Sequence, residues 1–194
     1  QINRLMTLAP ERDLVPRTVG QRRFEGNVTF SRVSFRYSPD SDPALVGVNF
    51  DIKAGQVIAV VGSNGAGKSS LIKLIAGMYQ PQAGAVLIDG ADIRQMDPQT
   101  LRQSISYVPQ DIEFFRGSIA QNLRLANPVA SPDELRMACM SAGILNDIEA
   151  LPSGFETRIG DQHSLRFSAS FLQRLALARA FVREGPIILF DEPT

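Results

Sequence analysis

The stretch GSNGAGKSS, residues 62–70, constrains the fold of this chain more than any other part of the sequence. It follows the apolar run QVIAVV and leads into KSSLIKLIAGMY, in which apolar residues recur at helical spacing. A glycine, four residues and then Gly-Lys-Ser, set between a strand and a helix, is the pattern of a phosphate-binding loop. The order therefore predicts a strand over 56–61, a loop that wraps phosphates, and a helix that follows Gly67.

Each part of this loop has a physical role in binding a nucleotide. Glycines let backbone amides approach the phosphates, and the helix N-terminus adds partial positive charge. Lys68 is predicted to reach the terminal phosphates, and the Ser69 hydroxyl to hold a magnesium ion. A glycine-rich turn that matches by chance is the alternative, which the flanking strand and helix disfavour. The predicted nucleotide-binding residues of this stretch are Gly62, Ser63, Asn64, Gly65, Ala66, Gly67, Lys68, Ser69 and Ser70.

A second chemical signal is an acidic pair that follows an apolar run. IILF at 187–190 is predicted to be a buried strand, and Asp191 and Glu192 come directly after it. In a nucleotide hydrolase, Asp191 would hold the hydrated magnesium, and Glu192 would orient or deprotonate the attacking water. The alternative is an acidic pair that merely ends a strand, and the phosphate loop makes the catalytic interpretation the better one.

The rest of the chain divides into segments that differ in composition and in hydrophobic pattern. Residues 1–25 are rich in Arg and broken by two prolines, as in a linker, whereas short alternating runs from Gly26 to about residue 90 predict strands. A helical block over about 112–172 then interrupts a mixed sheet core. Twenty basic residues balance twenty acidic ones, so the charge indicates no nucleic-acid partner. The single cysteine, Cys139, excludes an internal disulfide.

On these residues, the sequence from about Gly26 to its end resembles the ATP-binding cassette of ABC proteins. The resemblance implies an α/β fold: a P-loop NTPase (RecA-like) core with an antiparallel β subdomain and an α-helical subdomain. It implies an ABC ATP-binding domain over 26–194, with the helical subdomain at about 112–172, after a linker at 1–25 from a transmembrane domain. The histidine switch and the dimer-facing aspartate loop of the family would lie beyond Thr194.

The resemblance also implies roles for single residues, with ATP and Mg²⁺ as the cofactors. YVPQD at 107–111 is similar to the family's glutamine loop, in which Gln110 would touch the magnesium and the attacking water. Tyr37 falls where the family stacks an aromatic ring on adenine, although it could equally be a half-buried strand residue. Gln110 and Glu192 are thus the predicted catalytic residues, and the predicted metal ligands are Ser69, Gln110 and Asp191.

One motif departs from the family pattern. QRLALARA at 173–180 resembles the helix that follows the family's LSGGQ loop, but the five residues before it read FSASF. Only Ser168 agrees, and it is predicted to press onto the terminal phosphate held by a partner cassette. Ala169 and Ser170 replace glycines, which permit a close approach. The other interpretation is a helix cap, in which Ser170 and Gln173 form a capping box.

Further segments are similar to those of exporters, namely EFFRGSIAQNL at 113–123 and TRIGDQH at 157–163. We expect His163 to be a surface loop residue and not a ligand or a base. RLMTLAPER and IDGADIRQMDPQTLR are similar to bacterial type I secretion and peptide exporters. The implied function is an ATPase that powers export at the cytoplasmic face of the inner membrane, weak or inactive as an isolated chain. Its implied partners are a transmembrane domain and a second ABC cassette, packed head to tail. A regulatory cassette with a slow, degenerate site in a heterodimer is one alternative, and a soluble ABC protein acting on nucleic acid is another.

Overall fold

The computed structural model describes residues 24–160 and 167–191, and its first layer is an antiparallel sheet. Strands β1 (Val28–Phe35), β2 (Leu45–Ile52), β3 (Ala83–Ile88) and β4 (Ala91–Asp92) lie in the order β2-β1-β3-β4. The buried side chains of β1 alternate until the register shifts between Phe30 and Val33. At this bulge β3 lies very close to β1: a Cβ on Gly84 would be 2.3 Å from the Arg32 carbonyl oxygen, so only glycine fits there.

A second, parallel pair joins parts of the chain that are far apart in sequence. Strand β5 (Ile105–Val108) pairs with β8 (Ile187–Phe190), and the helical block lies in the connection between them. This connection also contains a short antiparallel pair, β6 (Gly117–Ser118) with β7 (Arg158–Ile159). The strand predicted for IILF is therefore confirmed, with the predicted bounds.

Six α-helices and two short 3-10 turns complete the described part of the chain. None of these helices is long and apolar enough to cross a membrane. The helices are α1 (Lys68–Ile75), α2 (Pro98–Gln103), α3 (Ile119–Arg124), α4 (Pro132–Ser141), α5 (Leu145–Glu149) and α6 (Ala169–Val182). The 3-10 turns are Ile93–Gln95 and Gly154–Glu156.

The buried apolar side chains form two main clusters, one beside the sheets and one within the helical block. One lies between the antiparallel sheet, α1 and the β5–β8 pair, and it includes Phe30, Leu74 and Ile105. The other lies within the helical block and includes Leu123, Cys139 and Leu175, all of them fully buried. Burial raises the pKa of the Cys139 thiol to about 12, so this cysteine is a core residue.

Residues 56–61 do not form the strand predicted for QVIAVV. The segment is irregular, and Val57 and Val61 are 98% and 88% exposed. A strand is stabilised by ladder hydrogen bonds and cross-strand contacts. No strand in the described ranges pairs with this segment, so its apolar run gains neither. The predicted helix after it does form, from Lys68.

Candidate functional site

The phosphate loop leads directly into α1. Gly65 and Gly67 have φ angles of 81° and 87°, in the left-handed region that favours glycine. Gly67 is also the N-cap of α1, and a Cβ there would lie 2.5 Å from the Ala44 carbonyl oxygen. Because glycine has no side chain to cap the helix, the N-cap residue does not cover the first amide groups of α1. These groups and the helix dipole favour an anion at this point.

The Lys68 side chain folds back over the same loop. Its Nζ donates hydrogen bonds to the carbonyl oxygens of Gly62 and Ser63, at 3.1 Å and 3.0 Å. The ammonium group thus lies beside the loop backbone, held by two neutral acceptors. Charged phosphate oxygens make stronger hydrogen bonds to an ammonium group than carbonyls do.

Ser69 and Asp191, predicted as metal ligands, are in direct contact. The Ser69 hydroxyl donates to Asp191 Oδ1 at 2.8 Å, across 122 residues of sequence. The backbone amide of Asp191 donates to the Val108 carbonyl oxygen at 3.0 Å, so β8 continues beside β5 to this point. A hydroxyl and a carboxylate are hard oxygen donors of the kind that Mg²⁺ prefers, so these two residues fit the expected metal.

A third residue, Tyr107 of β5, contacts the other carboxylate oxygen of Asp191. Its hydroxyl donates to Asp191 Oδ2 at 3.3 Å. Burial, together with the neighbouring Asp191 carboxylate, raises the pKa of Tyr107, so the phenol stays protonated and remains a donor. Tyr107 lies within the predicted glutamine loop motif, but the motif itself assigns it no role in the site. Only the parallel register of β5 with β8 brings it to Asp191, and no local pattern predicts that register.

Tyr37, predicted to stack on adenine, lies close to the phosphate loop. Its hydroxyl shares a 2.9 Å hydrogen bond with the hydroxyl of Ser70, which is buried in the first turn of α1. The rings of Phe35 and Tyr79 pack on Tyr37 at centroid distances of 4.9 Å and 5.2 Å. Tyr37 is still 46% exposed, so part of the ring is accessible. The Ser70 hydroxyl thus links the first turn of α1 to Tyr37.

Of the two predicted catalytic residues, the structure describes only Gln110. Gln110 is exposed and lies just after β5. Glu192 is outside the described residues, as are His163 and residues 1–23 of the predicted linker. Both catalytic assignments therefore stay predictions.

FSASF forms the start of α6. Ser168 is the N-cap, and its Oγ accepts a hydrogen bond from the Phe171 amide at 3.2 Å. The capping box predicted for Ser170 and Gln173 is wrong, because the helix begins at Ala169, so Ser170 lies inside its first turn and Ser168 is the N-cap. Phe171 is only 7% exposed and stacks on Phe167, with centroids 4.5 Å apart.

Comparisons with known proteins agree with this geometry. The family model described as ABC transporter matches residues 45–194. The chain is 43% identical to the alpha-hemolysin translocation ATP-binding protein HlyB of Escherichia coli over 169 residues, which are 87% of this chain and 24% of that protein. It is 39% identical to the ATP-dependent lipid A-core flippase of Thiobacillus denitrificans over 171 residues, which are 88% of this chain and 29% of that protein.

The fold is also that of a solved exporter. The structure of a bacterial Atm1-family ABC exporter with ATP bound matches with a TM-score of 0.89 and 37% identity, over 98% of this chain and 33% of that one. The chain thus spans about a quarter to a third of the length of the proteins that it matches. With its phosphate loop, the Ser69–Asp191 contact and these matches, the chain belongs to the ABC transporter family and carries that family's P-loop ATPase domain.

Proposed function

We propose that this domain binds ATP with Mg²⁺ and hydrolyses it to power export by a membrane protein. The observation that carries the proposal is the phosphate loop at the start of α1, with Lys68 over the loop and Ser69 against Asp191. In this proposal Lys68 and the loop amides bind the terminal phosphates, and Tyr37 stacks on the adenine. Ser69, Asp191 and Gln110 would hold Mg²⁺. When bound, Mg²⁺ supplies charge neutralisation at the phosphates.

Glu192 is the proposed general base. It directly follows Asp191 in sequence, and in this role it accepts a proton from the water that attacks the terminal phosphate. Gln110 orients the same water. Because little covalent chemistry falls to the protein in phosphoryl transfer, positioning by these two residues and charge stabilisation by Lys68 account for the rate.

The proposed physiological role is export of a peptide or protein across the bacterial inner membrane. The similarity to HlyB, and to the leukotoxin export ATP-binding protein LtxB of Aggregatibacter actinomycetemcomitans at 40% identity, supports a peptide or protein as the cargo. The similarity to a lipid A-core flippase supports export more generally. The domain would then work at the cytoplasmic face with a transmembrane domain and a second cassette, packed head to tail.

A second candidate is a regulatory cassette in a heterodimer, and the start of α6 favours it. Ser168 caps its own helix, and Phe171 is buried where the family pattern has a glutamine. Ala169 and Ser170 add side chains at two positions where the family pattern has glycine. Such a loop would complete a composite site poorly, while the intact phosphate loop would serve the other site.

The experiment is steady-state ATP hydrolysis by the purified full-length protein in lipid, with and without Glu192→Gln. Loss of a general base should lower turnover by about 100-fold or more while ATP binding is retained. Equal turnover by the variant and the wild type would overturn the assignment of Glu192 as the general base. Turnover only after addition of a second cassette would favour the heterodimer.

A further inference from the structure

Both carboxylate oxygens of Asp191 have a hydroxyl partner. Oδ1 accepts from Ser69 at 2.8 Å, and Oδ2 accepts from Tyr107 at 3.3 Å. Asp191 itself is only 7% exposed. A buried carboxylate with two donors from different elements has a fixed orientation, because rotation of the group would break both hydrogen bonds.

The backbone determines that Tyr107 is the second donor. In the parallel pair, Tyr107 lies opposite Leu189, and Val108 lies opposite Phe190. Side chains two positions apart on a strand share a face, so the residue at 191 continues the face on which Leu189 and Tyr107 lie. The hydrogen bond from the Asp191 amide to the Val108 carbonyl extends the ladder to this residue. Tyr107 therefore reaches Asp191 from a rigid element.

We propose that Tyr107 is a positioning residue for the magnesium site. It holds Oδ2 of Asp191 and so directs Oδ1 towards Ser69 on the first turn of α1. Partners of this kind orient the ligands of a metal, and their loss weakens metal binding although they do not touch the metal. This inference rests on the proposed function, because it takes Ser69 and Asp191 to be the magnesium ligands.

The test compares ATP affinity with and without the metal. A fluorescent ATP analogue is titrated into full-length wild-type protein and Tyr107→Phe, once with Mg²⁺ and once with EDTA. We expect affinity in EDTA to be unchanged and affinity with Mg²⁺ to fall about three- to tenfold, the loss typical of one ordinary hydrogen bond, because the bond from Tyr107 is long at 3.3 Å. Tyr79→Phe is the matched control, since Tyr79 packs on Tyr37 near the same site, and it should behave as the wild type.

The outcomes separate the inference from the proposed function. Equal losses with Mg²⁺ and with EDTA would mean that Tyr107 is structural, and unchanged or tighter binding with Mg²⁺ would also overturn the inference. Lys68→Ala, measured beside them, should lose affinity under both conditions. If Lys68→Ala binds ATP as well as the wild type does, the site assignment itself fails.

Discussion

At Asp191, a residue buried at the end of β8, two hydroxyls meet one carboxylate. Ser69 comes from the helix after the phosphate loop and Tyr107 from the neighbouring strand, so three elements converge on one side chain. Asp191 is thus a carboxylate that several hydrogen-bond donors hold in one place. Asp89 is a second example, in the turn between β3 and β4.

Asp89 anchors the chain just before β1. Its carboxylate accepts hydrogen bonds from the amides of Glu25, Gly26 and Asn27 and from Asn27 Nδ2, at 2.8 to 3.3 Å. Partial burial raises the pKa of Asp89, but these hydrogen bonds outweigh it and leave the pKa below its ordinary value of 3.8. The stabilisation is therefore present above about pH 4 and is lost as the pH falls through the pKa of the folded state.

The substitution Asp89→Asn removes the negative charge without changing the shape of the side chain. Asn also tolerates the left-handed backbone of this residue, where φ is 50°, so no strain is added. We expect a loss of about 1 to 2 kcal/mol in the free energy of unfolding at pH 7, and a smaller difference at pH 3. Urea unfolding at both pH values measures it. A difference that does not change with pH would contradict the role of the charge.

At the scale of elements, runs with a clear end were predictable from the sequence. IILF became β8 because four apolar residues stop at an acidic pair, and α4 begins where Ser131 supplies an N-cap and Pro132 the first helical residue. The strand predicted for QVIAVV does not form, because a strand needs a partner strand, which an apolar pattern alone does not supply. Likewise, Lys68 and Ser69 could be predicted from their motif, whereas Tyr107 depends on a strand register between distant segments.

The start of α6 leads to a prediction about stability. Phe171 packs in the helical cluster and on the Phe167 ring, so Phe171→Gln should cost about 2 to 4 kcal/mol. The matched change Ser170→Gly, at an exposed position in the first turn of α6, should cost only about 0.5 to 1 kcal/mol. Thermal unfolding of both variants compares them. Equal losses would show that the buried ring is not what holds this helix in place.

At the scale of the whole molecule, α6 joins the helical block to the region of the glutamine loop. The Arg179 guanidinium donates to the Glu113 carbonyl oxygen at 3.3 Å and lies over the Phe114 ring at 5.0 Å. At the other end of α6, Phe171 packs in the helical cluster, so a change there can affect stability as well as ATP turnover. A test of the degenerate signature should therefore leave Phe167 and Phe171 intact.

The double substitution Ala169→Gly and Ser170→Gly meets this requirement. If the two side chains obstruct a partner cassette, their removal should raise ATP hydrolysis by the full-length protein by more than about twofold, roughly 0.4 kcal/mol of barrier. The complete change of residues 167–171 to LSGGQ is measured beside it, with unfolding monitored. Turnover within twofold of the wild type for both variants would mean that FSASF is mainly a helix cap.

Calorimetry on the full-length protein tests most directly whether ATP with Mg²⁺ binds at the phosphate loop. Lys68→Ala should weaken binding about tenfold or more, because charge-assisted phosphate bonds worth roughly 1.5 to 3 kcal/mol are lost. Lys53→Ala, which removes an exposed lysine outside the loop, should bind as the wild type does. Equal ATP affinity for Lys68→Ala and the wild type would contradict ATP binding at this loop.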